Sequence, residues 1–157
     1  MISPTVSAGR LRFLLNLYPP FFFQGIRIQS IAKDFTSATV CVRRSIMTRN
    51  MMGTTFGGSL MAAADPILPI LYWRILSTPE KKLSVWLKKQ TSEFLIPADA
   101  KVTLKFSIDE GRLNEARASL ESSGRLDLTD QINPTLPDDR IMARFSITSS
   151  LRVQDGD

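Results

Sequence analysis

The residue best placed to do chemistry in this sequence is Asp65, which interrupts an apolar stretch running from Leu60 to Leu76. An ionised carboxylate in apolar surroundings is costly unless it is paired or used. Pro66 and Pro69 follow it, and because proline lacks a backbone N–H they predict a bend in the helix beside the acid. We therefore interpret Asp65 as a site residue. The alternative is a structural ion pair with a base such as Arg74.

A second chemical feature, the pair Gly57-Gly58, lies eight residues before the acid. Glycines permit a tight entry into a helix, and the first turn of a helix leaves backbone N–H groups without partners. Together with the helix dipole, these groups can hold a phosphate or a carbonyl oxygen that gains negative charge. A turn with close packing is the simpler interpretation of the glycines alone.

The spacing of the two features has a geometric consequence. Gly57 and Asp65 lie roughly 12 Å apart on a helix that rises 1.5 Å per residue. One acyl carbonyl cannot contact both within one chain. If both act on the same bond they come from different chains, so the spacing predicts a homodimer with two composite sites.

The remaining chain supplies the elements that position this helix. Apolar spacing predicts a helix over 9–17, ended by Pro19-Pro20. Alternation predicts a hairpin with a slip after Ile28, and places Cys41 on the more polar face of its second strand. Further strands are expected over 83–95, 102–108, 126–132 and 141–147, with a helix over 109–122 that uses Leu113, Ala116, Ala118 and Leu120.

This order predicts an α+β domain in which one antiparallel sheet of about five to six strands wraps a long central helix. The length of 157 residues fits one domain spanning 1–157. Its N-terminal part, 1–24, is expected to be a helix and a Pro-rich turn. Its tail, 153–157, is expected to be frayed.

Composition narrows the chemistry. The chain has no histidine, which excludes a Ser-His or Cys-His dyad and most zinc sites, and we expect no metal and no cofactor. Its single cysteine allows no internal disulfide and favours a cytoplasmic location. We expect no signal peptide and no membrane span. The net charge is +5, but the basic residues are not interleaved with aromatic residues as in a nucleic-acid-binding surface. Nucleic acid is therefore not an expected partner.

The central segment resembles the hot-dog fold, specifically the phenylacetyl-CoA-type acyl-CoA thioesterases and a related family of uncharacterised thioesterase-like domains. The thioesterase motif has Asn, Gly, His-Gly-Gly and a helical Asp, and the matching positions here are Asn50, Gly53, Phe56-Gly57-Gly58 and Asp65. The likeness to the uncharacterised group extends to residues 16–20 (NLYPP), 56–59 (FGGS) and 93–97 (EFLIP). It covers most of the chain.

The resemblance implies hydrolysis of an acyl-CoA or acyl-carrier thioester. Asp65 would activate water or attack directly, the partner subunit's Gly57 N–H would hold the oxyanion, and Asn50 would orient the water or the carbonyl. CoA would lie at the dimer surface near basic side chains. The expected substrate-binding residues are Phe56, Gly58, Ser59, Met52 and Met61, with Met51 also lining the acyl tunnel.

The sequence departs from the thioesterase motif at Phe56, which stands where the thioesterases have His. The uncharacterised relatives share this Phe, so it indicates altered substrate or lost activity. A serine that assists in some thioesterases has its place nearer Leu87 than Ser84. The alternative function is therefore a non-catalytic hot-dog module that binds a fatty acyl or CoA ligand, as a homodimer or a dimer of dimers.

Overall fold

The structure of the protein, a computed structural model, describes residues 5–154 as eleven helices and strands. In chain order these are α1 (Ala8–Leu17), α2 (Pro19–Phe23), β1 (Ile26–Ile31), β2 (Ser37–Val42), α3 (Gly57–Ala64), α4 (Ile67–Leu76), β3 (Leu83–Phe94), β4 (Val102–Ser107), α5 (Glu110–Ser123), β5 (Arg125–Ile132) and β6 (Ala143–Val153). The predicted α+β class and the helix and strand order are confirmed.

The strands form two antiparallel three-stranded sheets, in the orders β1-β2-β4 and β3-β6-β5. Isolated bridges join Thr135 to Thr103 of β4 and to Ile141, two residues before β6. The register of β1 on β2 shifts between Ile28 and Ser30, which is the slip that the apolar pattern predicted. In the described part of the chain β3 pairs only with β6, so its other edge is open.

The two central helices pack on different sheets because the helix is interrupted between them, at Asp65 and Pro66. α3 lies against β2 and β4, whereas α4 lies against β3 and β6. Asp65 ends α3, and Pro66 precedes the first residue of α4 with φ −91° and ψ −6°. Pro69, inside α4, cannot donate to the carbonyl of Asp65. The bend predicted from the two prolines is therefore present, as an interruption between α3 and α4.

The core lies between the helices and the inner faces of the sheets. Alternate strand residues such as Val40, Leu104 and Ile147 meet helix residues such as Leu60 and Leu71, all of them buried. The helical stretch Gly57–Leu76 is long and apolar enough to cross a membrane by length and composition, but half of its 20 residues are buried within the domain. It is the core helix of this fold.

Several local expectations differ from the structure. Pro19-Pro20 end α1 as predicted, but they also begin α2, because proline suits the first turn of a helix. Cys41 faces away from the inner core yet is buried, and Ala118 on α5 is exposed. β6 runs to Val153 and pairs it with Leu83, so the strand reaches into the tail expected to fray. Residues 155–157 of that tail lie outside the described residues.

A partly buried polar network joins α4 to the second sheet. The Tyr72 hydroxyl donates to Asp130 Oδ2 at 3.0 Å, and the Arg112 Nε donates to Asp130 Oδ1 at 3.2 Å. Burial, with the charge of Asp130, raises the pKa of Tyr72 well above its ordinary value. This tyrosine therefore stays a neutral hydrogen-bond donor and holds the helix in place.

Replacing Tyr72 with Phe is expected to lower the free energy of unfolding by about 1–2 kcal/mol, because Asp130 loses a donor in a largely buried position. Urea unfolding measures the change. Tyr18→Phe is the matched control, since Tyr18 is exposed and its loss of a hydroxyl should leave stability unaltered. Equal effects of the two substitutions would show that the network contributes nothing.

Candidate active site

Asp65 lies at the break between α3 and α4, and its carboxylate makes no hydrogen bond or ion pair with any described residue. The alternative ion pair with Arg74 is absent, because Arg74 Nε donates to the carbonyl of Val6 at 3.1 Å. The Arg74 guanidinium lies 4.5 Å from the centre of the Phe35 ring. The acid is thus an unpaired carboxylate on the protein surface.

The surroundings of Asp65 are apolar on one side. Its carboxylate is open to solvent, yet packing against the protein removes enough water to raise its pKa above the ordinary value. A carboxyl group with a raised pKa is a stronger base once ionised, which suits proton abstraction. Perturbed carboxyl groups in clefts are candidates for functional sites.

The cleft beside Asp65 is a groove of about 580 Å³ between α4 and β3. Asp65, Ser84 and Gln154 supply its polar groups, and Gln154 Nε2 donates to the Ser84 hydroxyl at 2.7 Å. The rest of the lining is apolar and consists of Pro66, Pro69, Ile70, Trp73, Leu83, Val85, Trp86 and Leu87. Ser84 and Leu87, the two positions considered for the assisting serine, both line this groove.

The N-terminus of α3 forms the second part of the candidate site. Phe56 is the N-cap residue, and Ser59 N donates to its carbonyl at 3.0 Å. The backbone N–H groups of Gly57 and Gly58 have no acceptor among the described residues. They are the unsatisfied donors of a first helical turn, as the glycine pair predicted.

Two aromatic rings cover these glycines. A Cβ built on Gly58 would come within 2.3 Å of Phe56 Cε1, and one built on Gly57 would come within 3.2 Å of Phe94 Cζ. Phe94 in turn packs edge-to-face on Phe145 with the ring centres 5.8 Å apart. A side chain at Gly58 would force the Phe56 ring to move, whereas one at Gly57 would need only a small shift of the Phe94 ring.

Asn50 shapes the loop before α3. Its Oδ1 accepts from the N–H groups of Met52 at 3.0 Å and Thr54 at 3.1 Å, and its Nδ2 donates to Thr54 Oγ1 at 2.9 Å. The side-chain amide is thus engaged within its own loop, in which Gly53 adopts φ +78°. The hydrogen bonds of the Asn50 side chain therefore hold the shape of this loop.

The other residues predicted to bind substrate differ in their exposure to solvent. Met51 and Met52 in the loop before α3 and Met61 within α3 are exposed. Ser59 is buried, so its side chain does not contribute to that exposed surface. The described residues contain no group of three or more His, Cys, Asp and Glu side chains that could hold a metal ion.

Sequence reasoning missed the aromatic components of the site. Phe94 belongs to the EFLIP segment, but its position over Gly57 depends on how β3 crosses the helix. Trp73 and Trp86 line the Asp65 groove from different elements. Their large apolar rings were a signal, because an exposed Trp such as Trp86 often marks a contact surface.

One chain keeps the two chemical features apart. Gly57 begins α3 and Asp65 follows its last residue, so the amides and the carboxylate lie at opposite ends of that helix. The groove of Asp65 opens along β3, the strand with the open edge. The α3 amides and the Asp65 groove of one chain are therefore separate features.

Solved structures share this architecture. The Pseudomonas aeruginosa protein PA5026, a probable thioesterase, is 16% identical with a TM-score of 0.81, over 93% of this chain and 95% of that one. The thioesterase HI1161 from Haemophilus influenzae is 18% identical with a TM-score of 0.69, over 95% and 92%. The E. coli PaaI protein from the phenylacetic acid degradation operon is 16% identical with a TM-score of 0.64, over 94% and 93%. These likenesses confirm the hot-dog fold.

Comparison with sequences is less informative about activity. No curated protein matches the chain significantly. A family model described as a domain of unknown function, DUF4442, matches residues 9–148. The match covers most of the chain, and the protein is therefore a member of the DUF4442 family with a thioesterase-like hot-dog fold.

Proposed function

We propose that the protein hydrolyses the thioester of an acyl-CoA or an acyl-carrier substrate. The observation that carries the proposal is the unpaired Asp65 carboxylate, which lies in an apolar groove and has a raised pKa. Nothing else among the described residues offers a base there. The fold shared with proteins named as thioesterases supports the same reaction class.

In the proposed reaction, Asp65 takes a proton from a water molecule that attacks the thioester carbonyl carbon. The carbonyl oxygen becomes an oxyanion and accepts hydrogen bonds from the Gly57 and Gly58 amides of a second subunit. Collapse of the tetrahedral intermediate breaks the carbon–sulfur bond. The leaving thiolate takes up the proton, which leaves a carboxylic acid and a free thiol.

The second subunit is part of this proposal. β3 is twelve residues long with an open edge, and such edges readily pair with another strand. Trp86 on β3 is exposed beside the Asp65 groove. Antiparallel pairing of two β3 strands would bury these groups symmetrically and bring one subunit's amides toward the other's carboxylate. A dimer of dimers and a cytoplasmic location remain predictions.

The substrate partners are proposed by class only. The acyl chain would pass over the exposed methionines and Phe56, while the phosphates of CoA would meet basic side chains at the dimer surface. The reaction requires no metal and no further cofactor, because the carboxylate supplies the base and the amides supply the charge stabilisation.

A non-catalytic ligand-binding role is the second candidate, and specific observations favour it. The Phe56 and Phe94 rings lie beside Gly58 and Gly57 at the first helical turn, and the Asn50 amide makes hydrogen bonds within its own loop. The apolar surface that these rings form at the start of α3 suits contact with an acyl chain better than with a reacting carbonyl group. Tight binding of acyl-CoA without turnover would select this function.

The experiment that separates the two is turnover on a panel of acyl-CoA substrates of increasing chain length, followed by thiol release. Hydrolysis is expected for at least one chain length. Equilibrium binding of the same panel is measured in parallel. Binding across the panel with no thiol released by the wild-type protein would contradict the enzymatic proposal and support the binding module.

The pH dependence of kcat/KM should show the titration of Asp65. Because burial raises the pKa of this carboxyl group, it stays protonated to a higher pH than an ordinary aspartate. Activity is therefore expected to rise with pH through that raised pKa and to level off above it. A pH–rate profile measures this rise of kcat/KM on the acidic side.

Asp34 provides the control for this profile, because hydrogen bonds from Thr36 lower the pKa of its carboxyl group. In the Asp34→Asn variant, kcat/KM should rise with pH over the same acidic range as in the wild-type protein. A wild-type profile that is flat across the titration range of carboxyl groups would argue against a carboxylate base.

A further inference from the structure

Charge is distributed unevenly along this chain. Residues 1–64 contain seven Lys and Arg residues but a single acid, Asp34, whereas residues 65–157 contain 13 bases and 14 acids. The whole net positive charge therefore belongs to the first 64 residues. All six ion pairs of the described residues use groups that come after that point in the sequence.

The same part of the chain exposes a cluster of large apolar side chains on α1 and α2. Phe13 is 62% exposed, Leu17 59%, Phe22 65% and Phe23 60%. Leu14 and Tyr18 extend the cluster along α1. The buried face of these helices is supplied by other residues, namely Leu11, Leu15 and Phe21, so the exposed residues do not serve the core. Such a contiguous apolar surface indicates a contact with something else.

Arginine side chains lie beside this cluster. A pocket of about 510 Å³ between α1, α2 and β1 is lined by Phe13, Leu17 and Phe22 together with Arg12, Arg27 and Arg43. Arg12 Nη1 donates to the carbonyl of Gln29 at 3.0 Å. The side chains of Arg27 and Arg43 have no hydrogen bond or ion pair with any described residue. They are free cations next to exposed aromatic rings.

We propose that the α1–α2 cluster and its arginines, together called the α1–α2 surface, attach the protein to the face of an anionic lipid membrane. Aromatic and leucine side chains with flanking arginines are the composition of elements that lie in the membrane interface without crossing it. The apolar rings would enter the boundary between headgroups and acyl chains, while the guanidinium groups contact lipid phosphates or carboxylates. The proposal does not depend on the proposed hydrolysis.

Charge selects the lipid surface over a second copy of the chain. Two α1–α2 surfaces in contact would bring unneutralised arginines together, which costs free energy. An anionic bilayer neutralises them and also covers the apolar rings. Single-stranded nucleic acid could neutralise the arginines and stack on the rings, and it is tested below as a competing outcome.

The test is co-sedimentation of the full chain with phosphatidylcholine vesicles made with and without phosphatidylserine. Binding is expected only with phosphatidylserine and should weaken as salt rises. Arg27→Ala/Arg43→Ala should lower the partition coefficient about 30-fold, since each basic residue near an anionic surface contributes about fivefold. Phe22→Ser/Phe23→Ser should lower it by at least about tenfold.

Matched controls alter charge and apolar surface elsewhere. Lys81→Ala/Lys82→Ala removes two bases from the turn before β3, and Ile141→Ser removes an exposed apolar residue outside α1 and α2. Both should bind like wild type. Circular dichroism checks that each variant folds, and thiol release from acyl-CoA without vesicles checks the separate hydrolysis proposal.

Hydrogen exchange on the wild-type chain provides a readout that needs no variant. Amides of α1 and α2 should become protected when phosphatidylserine vesicles are added. No binding to these vesicles, equal binding by the control and test variants, or binding that single-stranded DNA displaces completely would overturn the proposal. A change of oligomeric state in the α1–α2 variants without a change in vesicle binding would assign this surface to self-association instead.

Discussion

Asp65→Asn is expected to lower kcat/KM for acyl-CoA hydrolysis by about 10²–10⁴-fold, the range that general acid–base catalysis contributes. The amide has nearly the same shape as the carboxylate but cannot accept a proton from water. The groove is otherwise unchanged, so binding of substrate should persist. Steady-state thiol release with the best substrate of the panel measures the loss.

The stability of the same variant is the internal control. Burial raises the folded-state pKa of Asp65, so its contribution to stability is full below the unfolded pKa and is lost as pH rises through the folded pKa. At neutral pH the ionised Asp65 therefore lowers the stability of the fold. The Asp65→Asn variant is expected to be at least as stable to denaturant as the wild-type protein. Unchanged activity in a well-folded Asp65→Asn protein would remove this residue from the mechanism.

Gly57→Pro is expected to lower kcat by about 10²–10³-fold, the usual effect of removing one oxyanion donor. Proline deletes the backbone N–H at the first residue of α3, where the helix itself does not use it. Phe56, the residue before it, already has the extended geometry that precedes proline, with φ −61° and ψ 125°. The helix should therefore form normally.

Gly57→Ala is the matched variant, because it adds the same Cβ next to Phe94 but keeps the N–H. That Cβ lies 3.2 Å from Phe94 Cζ, so the ring must shift by a few tenths of an ångström in both variants. Alanine should retain most of the activity while proline loses it. Equal losses would attribute the effect to packing against Phe94 and would argue against an oxyanion role for the amide.

The sequence predicted the elements whose patterns are local. Strand alternation, the helical spacing of Leu11 and Leu15, and the break at Asp65-Pro66 all follow from neighbours in the chain, and the structure confirms them. Burial was harder to predict for residues on the side of a strand that faces away from the core, because other parts of the chain can cover that side. Cys41 is on the polar side of its strand by alternation, yet it is buried.

The candidate site was predictable only in its parts. The free amides of Gly57-Gly58 and the unpaired Asp65 match the expected positions, because helix entry and proline geometry are local properties. The covering of Gly57 by Phe94 and the capture of the Asn50 amide by its own loop depend on tertiary contacts. No spacing rule reveals a ring that arrives from a strand 37 residues later.

The composite site is the central claim, and subunit complementation tests it most directly. If the site is shared, Asp65→Asn and Gly57→Pro should each be nearly inactive as homodimers, whereas a mixed dimer would contain one site with an intact carboxylate and intact amides. Equal mixing with free exchange should restore about a quarter of the wild-type activity, because half of the dimers are mixed and each has one working site. A mixture no more active than its inactive parents, with mixed dimers shown to be present, would contradict a site shared between subunits.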